Sequence, residues 1–96
     1  MTQSTILAAG QSAATSSDIV IGDGATVKVG LFVASGRIPA KAIFKIVQDT
    51  PGADTAVYQL SGGDHVTVLT GPGTYRVVRP SLAHLGVDVG VFTEAA

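Results

Sequence analysis

The stretch "GPGTYRVVRP", residues 71–80, decides how this chain is read. Its two glycines and two arginines suit an anion-binding loop, and its Thr, Tyr and Val suit a turn that launches a strand. A phosphate-cradling loop needs a helix directly after the glycines, because the first helical N–H groups face the anion. Here "TYRVVR" is β-branched and aromatic, so a strand is expected. Pro80 should end its pairing, having no N–H to donate. Strand side chains alternate between faces. Arg76 then lies with Thr74 and Val78, while Arg79 lies with Tyr75 and Val77. The two arginines do not form one clamp, and Arg79, at the strand's end, is expected to reach solvent.

The same two-residue alternation extends outward from this stretch. "ATVKVGLFVA" (residues 25–34) puts Ala25, Val27, Val29, Leu31 and Val33 on one face, with Thr26, Lys28 and Gly30 on the other; Phe32 interrupts the polar face. "KAIFKIVQ" alternates less cleanly, with Ala42, Phe44 and Ile46 on one face and Ile43, Lys45 and Val47 on the other, and "VDVGVFTE" groups Val87, Val89 and Val91. Further strands are expected in "STILAA", "SSDIVI", "TAVYQL" and "HVTVLT". Turn signals such as "GDG", "DTPGAD" and "SGGD" recur every eight to twelve residues or so, the rhythm of a sandwich or barrel. "SLAHLG" alone could make a helical turn. The expectation is a single all-β domain over residues 1–96: a two-sheet antiparallel β-sandwich of about eight strands, jelly-roll or immunoglobulin-like Greek key. Residues 1–4 are expected to form a loose N-terminal arm.

Ninety-six residues carry 46% hydrophobic and only 14% charged side chains, against about 25% charged in an ordinary soluble domain. A surface of Thr, Ser, Gly and Ala is left, suited to being covered by other chains. With so few charges to guard its sheet edges, the chain is expected to cover them by oligomerising. Net charge is −1 and no basic block exists, so nucleic acid is not an expected partner. No apolar run approaches the ~18 residues of a membrane span, and the first residues lack the features of a signal peptide. Zero cysteines remove disulfides, thiolate nucleophiles and Cys-based metal sites together.

Candidate chemistry is sparse. Asp18, Asp23, Asp49, Asp54 and Asp64 fall mostly at turns, where Asp bonds its own backbone. His65 and His84 have no H-x-H or HExxH spacing, and no serine sits in a GxSxG elbow. Asp49 and Asp54 flank a Pro-Gly turn without the DxDxDG pattern of a calcium loop. The chain is therefore expected not to be an enzyme, and to need no cofactor and no metal. Arg76, Arg79 and Tyr58 are the candidate interaction residues.

"GTYRV" resembles the tyrosine corner of immunoglobulin-type sandwiches, in which a G-x-Y-x-C pattern opens a strand and the Tyr hydroxyl bonds back upstream. Gly73 and Tyr75 occupy the Gly and Tyr positions and are the expected structural anchors; Val77 replaces the cysteine and Gly71 the usual acidic residue. More widely, "SSDIVIGDGATVKVGLFVASGRIP", "VQDTPGADTAVYQLSGGDHVTVLTGPGTYRVVRP" and "VGVFTE" resemble small all-β structural proteins of tailed-phage virions. That resemblance implies a capsid decoration or cement protein, made in the host cytoplasm and carried in the virion. Its partners would be the major capsid protein or other virion proteins, with a homotrimer favoured. A tail or fibre component, or a carbohydrate- or receptor-binding sandwich, is the alternative.

Overall fold

A computed structural model describes residues 3–95, all of them in strands, turns and loops. The strands are β1 (Gln3–Gly10), β2 (Ala14–Thr15), β3 (Ile19–Ile21), β4 (Thr26–Val33), β5 (Phe44–Gln48), β6 (Thr55–Leu60), β7 (Val66–Thr70), β8 (Gly73–Arg79) and β9 (Val89–Ala95). They form two antiparallel sheets. Sheet A has the order β1-β9-β4-β7, and sheet B the order β2-β8-β5-β6 with β3 also paired to β8. The shortest dimension, 20 Å, fits two sheets stacked about 10 Å apart with their outer side chains. The expected sandwich is therefore present.

The expected alternation sets the core. Val29, Leu31, Ala42, Phe44, Ile46, Val77, Val89 and Val91 are all buried between the sheets, joined by Ile19, Ile21, Leu60 and Leu69. Leu82 fills the end of the core from the short turn after β8. Leu85 N and Gly86 N both bond the Leu82 carbonyl there, and Gly86 takes a positive φ of 65°. This is the one helical turn that "SLAHLG" predicts, closed by the residue type that tolerates a left-handed backbone.

Nine strands appear among the described residues where about eight are expected, because "SSDIVI" is entered through a bulge. Ala14 and Thr15 pair with Arg79 and Val78, while Ile19 and Val20 pair with Tyr75 and Thr74. Three residues, 16–18, therefore stand opposite two on β8. Ser16 explains the break: its N–H bonds the Val77 carbonyl at 2.8 Å, and its Oγ accepts the Val77 N–H at 2.9 Å, in place of a backbone carbonyl. Ser17 N then crosses to the Ile6 carbonyl of sheet A at 3.3 Å.

The N-terminal arm is corrected in part. Gln3 and Ser4 pair with Glu94 and Thr93 at the start of β1. Met1 and Thr2 lie outside the described residues.

Two connections cross from one sheet to the other at the same corner. β3 passes into β4 through residues 22–25, and β7 passes into β8 through Gly71 and Pro72. Gly71 N bonds the Ala25 carbonyl at 3.0 Å, tying the two connections together. A Cβ on Gly71 would stand 2.1 Å from the Gly22 carbonyl oxygen, so only glycine fits this crossing.

Candidate functional site

The residues of the opening stretch separate as strand parity requires. Tyr75, Val77 and Arg79 face the core, and Arg76 faces outward. Tyr75 is buried, and its hydroxyl donates to the Thr70 carbonyl at 3.0 Å, five residues upstream. The bond spans the corner, linking the last residue of sheet A's edge strand to β8 of sheet B. Gly73 lies beside that ring: a Cβ there would stand 3.2 Å from the Tyr75 ring and 3.2 Å from the Gln48 amide nitrogen.

Arg79 corrects the expectation of a solvent-reaching side chain. It is 5% exposed, and its guanidinium is bound by three backbone carbonyls. Nε donates to Ser12 O at 2.7 Å, and Nη1 donates to Ala8 O at 2.7 Å and Val89 O at 2.9 Å. Those carbonyls belong to β1, the connection after it and β9. Arg79 therefore brackets sheet B to sheet A. Parity grouped it with Tyr75 and Val77, as found; that distant backbone closes over the strand's end was not visible locally.

Arg76 is the centre of the largest ionic cluster among the described residues. Nε bonds Asp18 at 2.7 Å, Nη1 bonds Asp54 at 2.7 Å, and Nη2 lies 3.8 Å from Asp49. The hydrogen bond to Asp18, then the charge on Asp18, Asp54 and Asp49, raise the arginine's pKa above its usual value. Asp49 and Asp54 thus turn toward the same fixed cation. Among the described residues, no three His, Asp or Glu side chains gather as a ligand set. Thr50 Oγ1 closes the same turn on the Ala53 carbonyl at 2.7 Å.

Tyr58 lies on β6, 38% exposed, with its hydroxyl donating to the Asp64 carboxylate. That hydrogen bond, with some burial and the Asp64 charge, raises the phenol's pKa. His65 lines an open groove of about 530 Å³ with Val33, Arg37, Ile38 and the glycines of the 61–64 turn. His84 is exposed on the turn after β8 and does not line that groove.

Sequence reasoning missed the outer face of sheet A. Register puts Lys28, Gly30 and Phe32 of β4 beside Glu94, Phe92 and Gly90 of β9, and Lys28 and Gly30 beside Val68 and Val66 of β7. Each phenylalanine thus lies across a glycine on the neighbouring strand. A Cβ on Gly30 would be 2.6 Å from the Phe92 ring, and one on Gly90 would be 2.5 Å from the Phe32 ring. Such glycine–aromatic crossings lay the rings down on the sheet. Both rings are half-buried, Val66 and Val68 are 37% and 52% exposed, and a shallow depression of about 260 Å³ separates the rings from Gln3 and Thr5. One ion pair, Lys28 Nζ to Glu94 Oε1 at 2.9 Å, closes the end of this face. Phe32 was noted as a break in the alternation, but its glycine partner is distant in sequence.

Comparisons with protein-family models, curated proteins and solved structures gave no match for this chain.

Proposed function

We propose that this chain is a structural protein of a tailed-phage virion, a capsid decoration or cement protein that acts by contact. The observation that carries the reading is the apolar face of sheet A, where Phe32 and Phe92 lie across Gly90 and Gly30 beside exposed Val66 and Val68. Desolvating the rings and valines of such a face costs little because they carry no polar groups, and the Lys28–Glu94 ion pair stands at its end. Sheet-to-sheet bracketing by Arg79 and Tyr75 supports a stiff body that presents the face without rearrangement. The partner is the major capsid protein or another virion protein.

The test is cosedimentation of the purified chain with empty heads and with tails assembled from the structural genes that neighbour its own. Pelleting with heads supports the decoration role. Pelleting with tails alone moves the protein to the tail or fibre. A chain that stays in the supernatant with both overturns the reading.

A sugar- or receptor-binding role rests on Tyr58, an exposed ring with Asp64 beside it. A glycan array with signal lost in Tyr58→Ala would favour it.

A further inference from the structure

The two sheets have four outer edges, and three carry features that discourage pairing with another chain. β1 pairs to β9 with register shifts between Thr5 and Leu7 and between Leu7 and Gly10. β6 pairs to β5 with a shift between Ile46 and Val47. The remaining edge of sheet B is only the short β2 and β3, broken by the bulge at residues 16–18. Bulges and short strands are how sheets keep their edges from being templates.

β7 has none of these. It pairs with β4 over five consecutive residues without a shift, from Thr26↔Thr70 to Gly30↔Val66. It contains no proline and no charged residue. Its direction of hydrogen bonding follows from its two ends. Leu31 N bonds the His65 carbonyl and Gly71 N bonds the Ala25 carbonyl, so odd-numbered residues face β4. In an antiparallel strand each residue's N–H and C=O point the same way. Val66, Val68 and Thr70 therefore turn theirs toward the open edge.

We propose that β7 pairs antiparallel with β7 of a second copy, making one eight-stranded sheet across a two-fold dimer. The absence of charge suits a second copy, which meets the strand with the same residues. At a two-fold axis each residue meets its own counterpart or a near neighbour, so any charge there faces its like. A strand meant for a different protein is under no such restriction. Centring the pair on Val68 sets Val68 against Val68 and Val66 against Thr70, and gives every edge-facing N–H of the strand a carbonyl partner. The 52%-exposed Val68 side chain then packs on its own copy. The inference does not rest on the virion role, although Val66 and Val68 belong to the face that role invokes.

Sedimentation velocity over micromolar to millimolar concentrations tests it, the chain mass being 9.6 kDa. The expected species is a dimer at high concentration that dissociates on dilution. Val68→Pro removes an N–H that β4 does not use, and should leave a monomer with native circular dichroism. Val20→Lys, at the 75%-exposed position on β3, should leave the dimer intact. Amide exchange of the unmodified chain gives a second readout that needs no variant. The Val66, Val68 and Thr70 amides should be protected in the dimer and exchange fast on dilution. A monomer throughout, a trimer, a dimer that survives Val68→Pro, loss of the dimer in Val20→Lys, or fast exchange of those amides at high concentration overturns the proposal.

Discussion

Tyr75 and Arg79 show how two residues of one strand face hold two sheets together by different chemistry. Tyr75 contributes one neutral hydrogen bond from a buried ring. Tyr75→Phe keeps the ring and should cost about 1 kcal/mol, the net worth of such a bond; an unchanged midpoint in urea denaturation would show that the hydroxyl is merely solvated. Arg79 is a buried cation held by carbonyl dipoles, with no carboxylate among its hydrogen-bond partners. Arg79→Met keeps much of the bulk but leaves three backbone acceptors without their donor. It should cost roughly 3 kcal/mol, because each orphaned buried acceptor carries a desolvation penalty. Arg79→Lys should recover only part, since an ammonium lacks the planar fork that spans separate carbonyls. Urea melts of the three variants check the order. Glu94 adds a pH dependence. The Lys28 hydrogen bond, then the Lys28 charge, hold its carboxylate pKa below the ordinary value near 4.5 despite partial burial. A depressed carboxylate stabilises the fold above its unfolded pKa, and that contribution is lost as pH falls through the folded value. The stability gap between the native chain and Glu94→Gln should therefore be constant near neutrality and close below about pH 4.5, measurable as paired thermal melts across pH.

The elements differ in how far the sequence discloses them. β4, β5 and β9 were legible because each is buried on one face, and burial writes a period of two into the residues. Val29, Leu31, Phe44, Ile46, Val89 and Val91 follow it, while Gly30, Gly90 and Glu94 are buried on the opposite parity. β8 was legible for the same reason, and its launch from Gly73 with Tyr75 two residues on was legible from turn chemistry. β6 carries little pattern because it is an edge with nearly every residue exposed. The bulge that separates β2 from β3 depends on a serine hydroxyl replacing a carbonyl, which no periodicity reports. The ionic cluster was hidden by distance along the chain. Asp18 is 58 residues from Arg76 and Asp54 is 22 away, so each aspartate looked like an ordinary turn residue. The open face of sheet A escaped notice because glycine in a strand gives no hint of the ring that crosses it.

Across the whole molecule, the last strand is the one on which sheet A depends. β9 lies between β1 and β4, so the first and final segments of the chain meet before sheet A is complete. Deleting residues 89–95 should leave a chain without cooperative thermal unfolding, which differential scanning calorimetry would show as the loss of the transition. Pairings this remote in sequence also place folding in the slow range of small domains, roughly milliseconds to seconds. The reciprocal crossings of Phe92 over Gly30 and Phe32 over Gly90 carry a consequence for descent. Each ring occupies the space that a side chain on its glycine would need. A lineage that gains bulk at 30 must move or lose the ring at 92, whereas bulk at 90 meets the Leu7 carbonyl oxygen at 2.7 Å as well as the Phe32 ring, so shrinking Phe32 does not free that position. Positions 30 and 92 should therefore be inherited as one linked character, and divergent descendants of this chain should show exchanges at 30 with 92 while 90 stays glycine.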